Sequence, residues 1–195
     1  MSVQVKSTKT YRNLPCGHAQ WFDKAEDGGQ GPCASIHGYD RAVELTFAGE
    51  VDEHGWIFPF GKELKPVKAF IEYYFDHVTV LPADDPRLDM VEAAAVPGGP
   101  LQELRVLPSG VSMEMSSLFI WEHVNHYIYK VTSGRVYVEK VRVYEHERNS
   151  SFMEVDQETA AKNAQQKMVG DAPTLVQKAR WVWESPKDLV KRLNL

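Results

Sequence analysis

The residues that most constrain this chain are His37 to Phe47, where two kinds of side chain alternate. His37, Tyr39, Arg41, Val43, Leu45 and Phe47 fall on one face of an extended strand, with Asp40, Ala42, Glu44 and Thr46 on the other. A half-apolar strand of this kind has to cover its apolar face, which calls for a sheet with a second layer packed against it. His37 and Tyr39 point the same way, two residues apart, at the start of that face. Asp52-Glu53-His54-Gly55 reads as a turn beyond its end.

The flanking segments supply the partners. Val3 to Leu14 is rich in Val, Thr and Tyr and is expected to form a first strand, followed by an irregular loop from Pro15 to Pro32. A loop of that length between two strands is uncommon unless it is functional. Lys62 to Phe75 predicts an amphipathic helix, with Leu64, Val67, Ile71, Tyr74 and Phe75 on one stripe and Pro66 in or near its first turn. The stretch from Leu81 to Gly110 carries its Gly and Pro in clusters and reads as mostly connection. A second helix is expected from Ser112, a good N-cap, to about Thr132. Met113, Ile120, Val124, Tyr127, Ile128 and Val131 form its buried stripe, and Ser133-Gly134 ends it. Arg135 to Glu145 and Ser150 to Val155 then form a strand pair. The order strand, strand, helix, helix, strand, strand predicts an α+β domain over residues 1–155, an antiparallel sheet with helices on one face. Residues 156–195 are expected to be a helical C-terminal extension, broken at Gly170 and Pro173 and reopened at Ser185-Pro186. Trp181 and Trp183 lie in this extension, where packing on its own domain is the plainer expectation.

Composition narrows the function. With 195 residues, 43% of them hydrophobic, the chain can build a core that needs neither disulfide nor metal. A net charge of −5 and the lack of any basic block argue against nucleic acid as a partner. No run approaches the 18 or so apolar residues of a membrane helix, and no signal-peptide pattern is seen, so a cytoplasmic protein with Cys16 and Cys33 reduced is expected.

Four features could carry chemistry: His18, the Cys33-Ala34-Ser35-Ile36-His37-Gly38-Tyr39 motif, Asp76-His77, and the carboxylates Glu114 and Glu145. Each alone has a bland reading. A lone His is usually a polar core or surface residue, an Asp-His pair after a helix is usually a cap, and a buried Cys is usually an inert small hydrophobe. Catalytic zinc sites use three protein ligands and leave one position open. Alternate residues of a strand can supply two of them, although here the pair is one imidazole and one phenol.

Taken together and in order, these pieces resemble the 6-pyruvoyltetrahydropterin synthase and 6-carboxytetrahydropterin synthase family. The matching residues are His18, Cys33 through Tyr39, Gly-Glu-Val-Asp at 49–52, Gly55-Trp56, Phe75-Asp76-His77, Ser112-Met113-Glu114 with Ile120-Trp121, and Val143-Tyr144-Glu145. The resemblance spans about residues 3 to 155. It implies a T-fold, a four-stranded antiparallel sheet with two helices, assembled as an oligomeric barrel from trimeric rings stacked into a hexamer. It also implies Zn2+ held at the positions of His18, His37 and Tyr39, a catalytic thiol at Cys33, and Asp76 and His77 as its proton-transfer partners. Glu145 would grip the guanidine-like edge of a pterin. Glu114 takes the matching position in the second helix, where a carboxylate favouring the helix N-terminus is an equal reading.

The departures leave choices open. Tyr39 stands where the family has a third His, and a phenol with an ordinary pKa near 10 is a poor zinc ligand. Tyr39 coordinates, or a group such as Cys16 replaces it, or the metal site is weak or lost. The compact Cys-x-x-x-His interval resembles the branch that makes 6-carboxytetrahydropterin from 7,8-dihydroneopterin triphosphate on the route to 7-deazaguanines (queuosine). The pyruvoyl-forming lyase and a non-catalytic pterin- or purine-binding oligomer are the alternatives.

Overall fold

The computed structural model describes residues 4–21, 31–108 and 110–165. Its elements are β1 (Val5–His18), β2 (His37–Gly49), α1 (Phe60–Phe75), β3 (Val78–Pro82), α2 (Leu88–Ala94) and β4 (Leu104–Leu107). They continue with α3 (Met113–Val131), β5 (Val136–His146), β6 (Asn149–Glu154) and α4 (Gln157–Gln165). One sheet holds all six strands in the order β4-β3-β1-β2-β5-β6. The expected antiparallel set β1-β2-β5-β6 is there. The sheet is nevertheless mixed and two strands wider, because β3 joins β1 in parallel and β4 joins β3 in parallel. β4 and α2 come from the segment read as connection, and β3 runs into its start. Its Pro and Gly residues punctuate two short strands and a helix, and runs of four or five residues carry too little periodicity to stand out.

The core lies between one face of this sheet and the helices α1 and α3. Val43, Leu45 and Phe47 of β2 and Val138, Val141 and Val143 of β5 pack against Val67, Phe70, Ile71 and Phe75 of α1, and Ile120, Val124 and Ile128 of α3. Burying a side chain of this size is worth about 1.5–3 kcal/mol, so this layer is the principal source of stability. Val131, expected on the buried stripe of α3, is 40% exposed, since the helix ends there and turns away. Ser133 and Gly134 both have positive φ, and the Gly134 amide closes the end by donating to Tyr129 O at 2.7 Å. Pro66 sits in the second turn of α1, deeper than expected, and is buried there.

β1 runs four residues past its expected end at Leu14. A bulge makes this possible: Tyr11 pairs with Val43 but Leu14 with Arg41, and Asn13 takes the left-handed conformation (φ 59). The extra residue keeps Leu14, Cys16 and His18 on the same face as Tyr11, all of them buried. Pro15 and Gly17 gave this stretch a loop-like composition, yet both lie in the ladder, opposite Asp40 and Gly38. At the far side of the domain, Asn125 of α3 holds α4 by donating to Ala160 O and Asn163 Oδ1, both at 2.9 Å. The remainder of the expected C-terminal extension, with Trp181 and Trp183, lies outside the described residues.

Candidate active site

The face of β2 that begins as core ends as something else. From Phe47 through Val43 it is apolar, and from Arg41 through Tyr39 to His37 it is polar. The neighbouring strand matches it residue for residue: Leu14 lies beside Arg41, Cys16 beside Tyr39, and His18 beside His37. On the other side Val143 of β5 pairs with Val43, so Glu145, two residues on, belongs to the same face. Three strands thus bring His18, His37, Tyr39 and Glu145 together at one end of the sheet.

The ring centroids of His18 and His37 are 4.4 Å apart. Tyr39 lies 5.6 Å from His18 and meets His37 edge-on at 5.4 Å. His18 Nε2 is 3.6 Å from Glu145 Oε1, too long for a good hydrogen bond. His18 is 5% exposed and its buried Nδ1 has no hydrogen-bond partner. Burial pushes its pKa down to about 3, with the Arg41 and His37 charges adding to the effect, so the imidazole is neutral. His37 Nδ1 is 2.7 Å from Ser35 O, an arrangement in which Nδ1–H donates and the Nε2 lone pair is left free.

Among the described residues, one group of His, Cys, Asp or Glu has donor atoms close enough to share a metal ion: His18, His37 and Glu145, all within 4.8 Å of one another. The neutral imidazole of His18, a second imidazole at His37 and a carboxylate form a donor set suited to a divalent cation. The expected set shares His18 and His37 with this group, and Glu145 is the carboxylate that joins them, with the Tyr39 ring alongside. Cys16, the suggested substitute, lies in the apolar cluster with its thiol pKa raised by burial.

Beneath the group sits Arg41, 1% exposed. Its guanidinium donates to Val111 O at 2.9 Å and Ser116 Oγ at 3.1 Å and lies over the Phe75 ring at 5.7 Å. It ties the floor of the site to the start of α3 and lies close enough to feel Glu145. Nothing in the one-dimensional pattern marked Arg41 as fully buried; only its place on the alternating face hinted at it.

Cys33 occupies a 3-10 turn, Pro32–Ala34, and is exposed. Its carbonyl accepts from the Gln20 amide at 2.9 Å, which ties the turn to the end of β1. Asp76 caps α1, and His77 follows with φ 53, a left-handed conformation costly for a side-chain-bearing residue. The His77 amide donates to Pro15 O at 2.8 Å, and its Nδ1 lies 2.6 Å from Asp76 Oδ1. The carboxylate therefore fixes the ring orientation and tautomer; with His77 71% exposed, this pairing adds little to stability. Glu114 lies exposed in the first turn of α3, behind an N-cap in which Ser112 Oγ accepts from the Met115 amide at 3.2 Å. Within one chain, then, the structure forms a metal-capable group and an Asp–His pair, with Cys33 on a separate turn. His146 was not anticipated as a neighbour of the cluster; its ring lies 5.7 Å from Tyr39.

A family model described as 6-pyruvoyl tetrahydropterin synthase matches residues 7–158. No curated protein sequence matches the chain significantly. Among solved structures, an uncharacterised protein from Wolinella succinogenes superposes with a TM-score of 0.63 at 15% identity, over 80% of this chain and 100% of the other. The 6-pyruvoyl tetrahydropterin synthase of Plasmodium vivax gives 0.53 at 16% identity, over 78% and 99%. That of Caenorhabditis elegans gives 0.51 at 16% identity, over 80% and 98%. At these identities the structural matches speak for the fold alone, an α+β T-fold.

Proposed function

This chain belongs to the 6-pyruvoyl tetrahydropterin synthase family, and on that premise we propose that it is a 6-carboxy-5,6,7,8-tetrahydropterin synthase-like lyase. Its substrate would be 7,8-dihydroneopterin triphosphate, in a route to 7-deazaguanines. With one water consumed, the substrate gives carboxytetrahydropterin, acetaldehyde and triphosphate. The electrons lost by the cleaved side chain end in the pterin ring and the released fragment, so no external oxidant is needed. The observation that carries the reading is the buried, neutral His18 facing His37 and Glu145.

In this reading His18, His37 and Glu145 would hold Zn2+, and Tyr39 forms a wall beside them. When bound, the ion supplies Lewis acidity toward the hydroxyls of the substrate side chain. The Cys33 thiolate takes a proton from the side-chain carbon. His77, oriented by Asp76, carries a proton to or from a side-chain oxygen. With Glu145 given to the ion, the role first expected of it passes to Glu114, the other candidate substrate-binding carboxylate, which would grip the guanidine-like edge of the pterin with two parallel hydrogen bonds. Among the described residues β4 and β6 are the edge strands of the sheet, and pairing between such edges would be a physical route to the expected trimeric rings and hexamer. The setting proposed for the enzyme is the cytoplasm.

Incubation with dihydroneopterin triphosphate, assayed for acetaldehyde and carboxytetrahydropterin, tests the reaction. A pyruvoyl product without acetaldehyde would assign the alternative triphosphate lyase. Tyr39, where the family has its third imidazole, favours a non-catalytic pterin- or purine-binding oligomer. Pterin binding without turnover, together with sub-stoichiometric zinc, would establish that second reading.

A further inference from the structure

The turn that carries Cys33 offers three consecutive carbonyls, at Cys33, Ala34 and Ser35, and each accepts a hydrogen bond from outside the turn. Cys33 O accepts from the Gln20 amide. Ser35 O faces His37 Nδ1. Ala34 O, between them, accepts from Arg87 Nη1, whose residue lies just before α2 in the segment joining β3 to that helix.

Arg87 is itself held. Its Nε donates to Asp85 Oδ1 at 2.9 Å and its Nη2 to Asp85 Oδ2 at 2.7 Å, a two-pronged pairing. The Arg87 amide adds a third bond to Oδ1 at 2.8 Å. The Asp85 side chain is 0% exposed and that of Arg87 25%, so the pair is shielded from solvent on the carboxylate side. Burial alone would raise the Asp85 carboxyl, but the bonds from Arg87 outweigh it and hold the group below its ordinary value. The guanidinium plane also sits 4.8 Å from the Trp21 ring, three residues beyond His18. Such an arrangement fixes the guanidinium in position and direction, and its one remaining prong ends on the thiol turn.

We infer that Arg87, braced by the buried carboxylate of Asp85, is the positioning residue that sets the Cys33 turn against the His37 end of the site. Gly31 has φ 66 and opens the turn, and Ala34 N and Ser35 N make bonds of 3.3 and 3.2 Å inside it. These local bonds shape the turn, but they do not attach it to the sheet. Among the described residues, attachment runs through the bonds from Gln20, His37 and Arg87, and Arg87 is the one that reaches in from the β3–α2 segment. For catalysis this inference rests on the reading of Cys33 as the reacting thiol.

The test uses full-length Arg87→Ala, Arg87→Lys and Asp85→Asn proteins with their metal. Iodoacetamide alkylation of Cys33 is followed by peptide mass, with buried Cys16 as the internal control, alongside kcat and KM. In Arg87→Ala, alkylation of Cys33 is expected to change at least about fivefold as the turn loosens. With the thiol displaced, kcat is expected to fall about tenfold or more while KM stays within about twofold. Arg87→Lys, which keeps the charge but loses the fork, should resemble Arg87→Ala, and added guanidinium ion should restore part of kcat in the latter. If Arg87→Ala does not fold, Asp85→Asn is expected to show the same pattern. Alkylation and kcat both within about twofold of wild type would overturn the inference, as would a kcat loss that merely tracks the fraction of folded protein. A Cys33→Ala protein that keeps full turnover would instead sink the thiol's catalytic role, leaving the alkylation rate to decide on Arg87.

Discussion

The two halves of the candidate site are built on opposite principles. The metal-capable half stands on three paired strands, where ladder registers place His18 beside His37 and bring Glu145 onto the same face. The thiol half stands on an exposed turn tied down by hydrogen bonds from Gln20, from His37 at the start of β2 and from Arg87, 53 positions away. A sheet fixes its side chains to the pleat and tolerates little adjustment. A turn held by side chains can be shifted by a single substitution. The metal half should therefore resist remote mutations that disable the thiol half, and substitution within either half should leave the other intact.

The largest separation is expected from Cys33→Ala. Loss of the base should reduce kcat about 100- to 10,000-fold, while metal content by elemental analysis stays at the wild-type value. A protein that loses its metal along with the thiol would break the distinction between halves. The converse experiment sharpens the assignment within the metal half. Glu145→Gln is expected to weaken zinc binding by about 100-fold or more in a competition titration, whereas Tyr39→Phe leaves it nearly unchanged. The opposite result would return the third ligand to Tyr39. Asp76→Asn removes the orienting charge from His77 and should lower kcat about tenfold or more, again without loss of metal.

A last effect, on stability and not on turnover, belongs to the helical layer that both halves stand on in common, away from either set of reacting groups. His123 of α3 packs against both Phe70 and Phe119, with ring centroids at 5.3 and 4.5 Å, and its Nδ1 is 2.8 Å from Phe119 O. Burial pushes its pKa down to about 4; the bond to Phe119 O opposes the shift and the His126 charge assists it. The folded protein then keeps His123 neutral at a pH where the unfolded chain has already taken up a proton. Its contribution to stability is complete above about pH 6.5 and is lost as the pH falls toward 4, by up to about 3 kcal/mol. Thermal melts of wild type and His123→Phe across this window check it: the variant should melt with less dependence on pH. Equal slopes would remove His123 as a source of acid sensitivity.

Much of this architecture was legible in the residues. The alternation from His37 to Phe47, the stripes of α1 and α3 and the cap at Ser112 are local patterns, and each appears in the fold close to where it was read. The Asp76–His77 pair was legible too, because neighbours in sequence at a helix end stay neighbours in space. The end of β1 was harder: Pro15 and Gly17 read as loop, and only the bulge at Asn13 with pairing to β2 keeps the chain in the ladder. The strands β3 and β4 escaped for a related reason. Short strands draw their stability from neighbours that a linear pattern does not contain.

Sequence alone therefore determined the α+β plan, the faces of the long elements and which residue types were available for chemistry, because propensity and periodicity act within a few residues of the chain. Only the tertiary structure decided how those residues meet. It put Glu145 beside His18, buried Arg41 beneath them, and brought Arg87 to the carbonyl of Ala34, 53 positions away. These are contacts across strand registers and between separate segments. Their energies depend on burial and distance, two quantities that exist only once the chain has closed on itself.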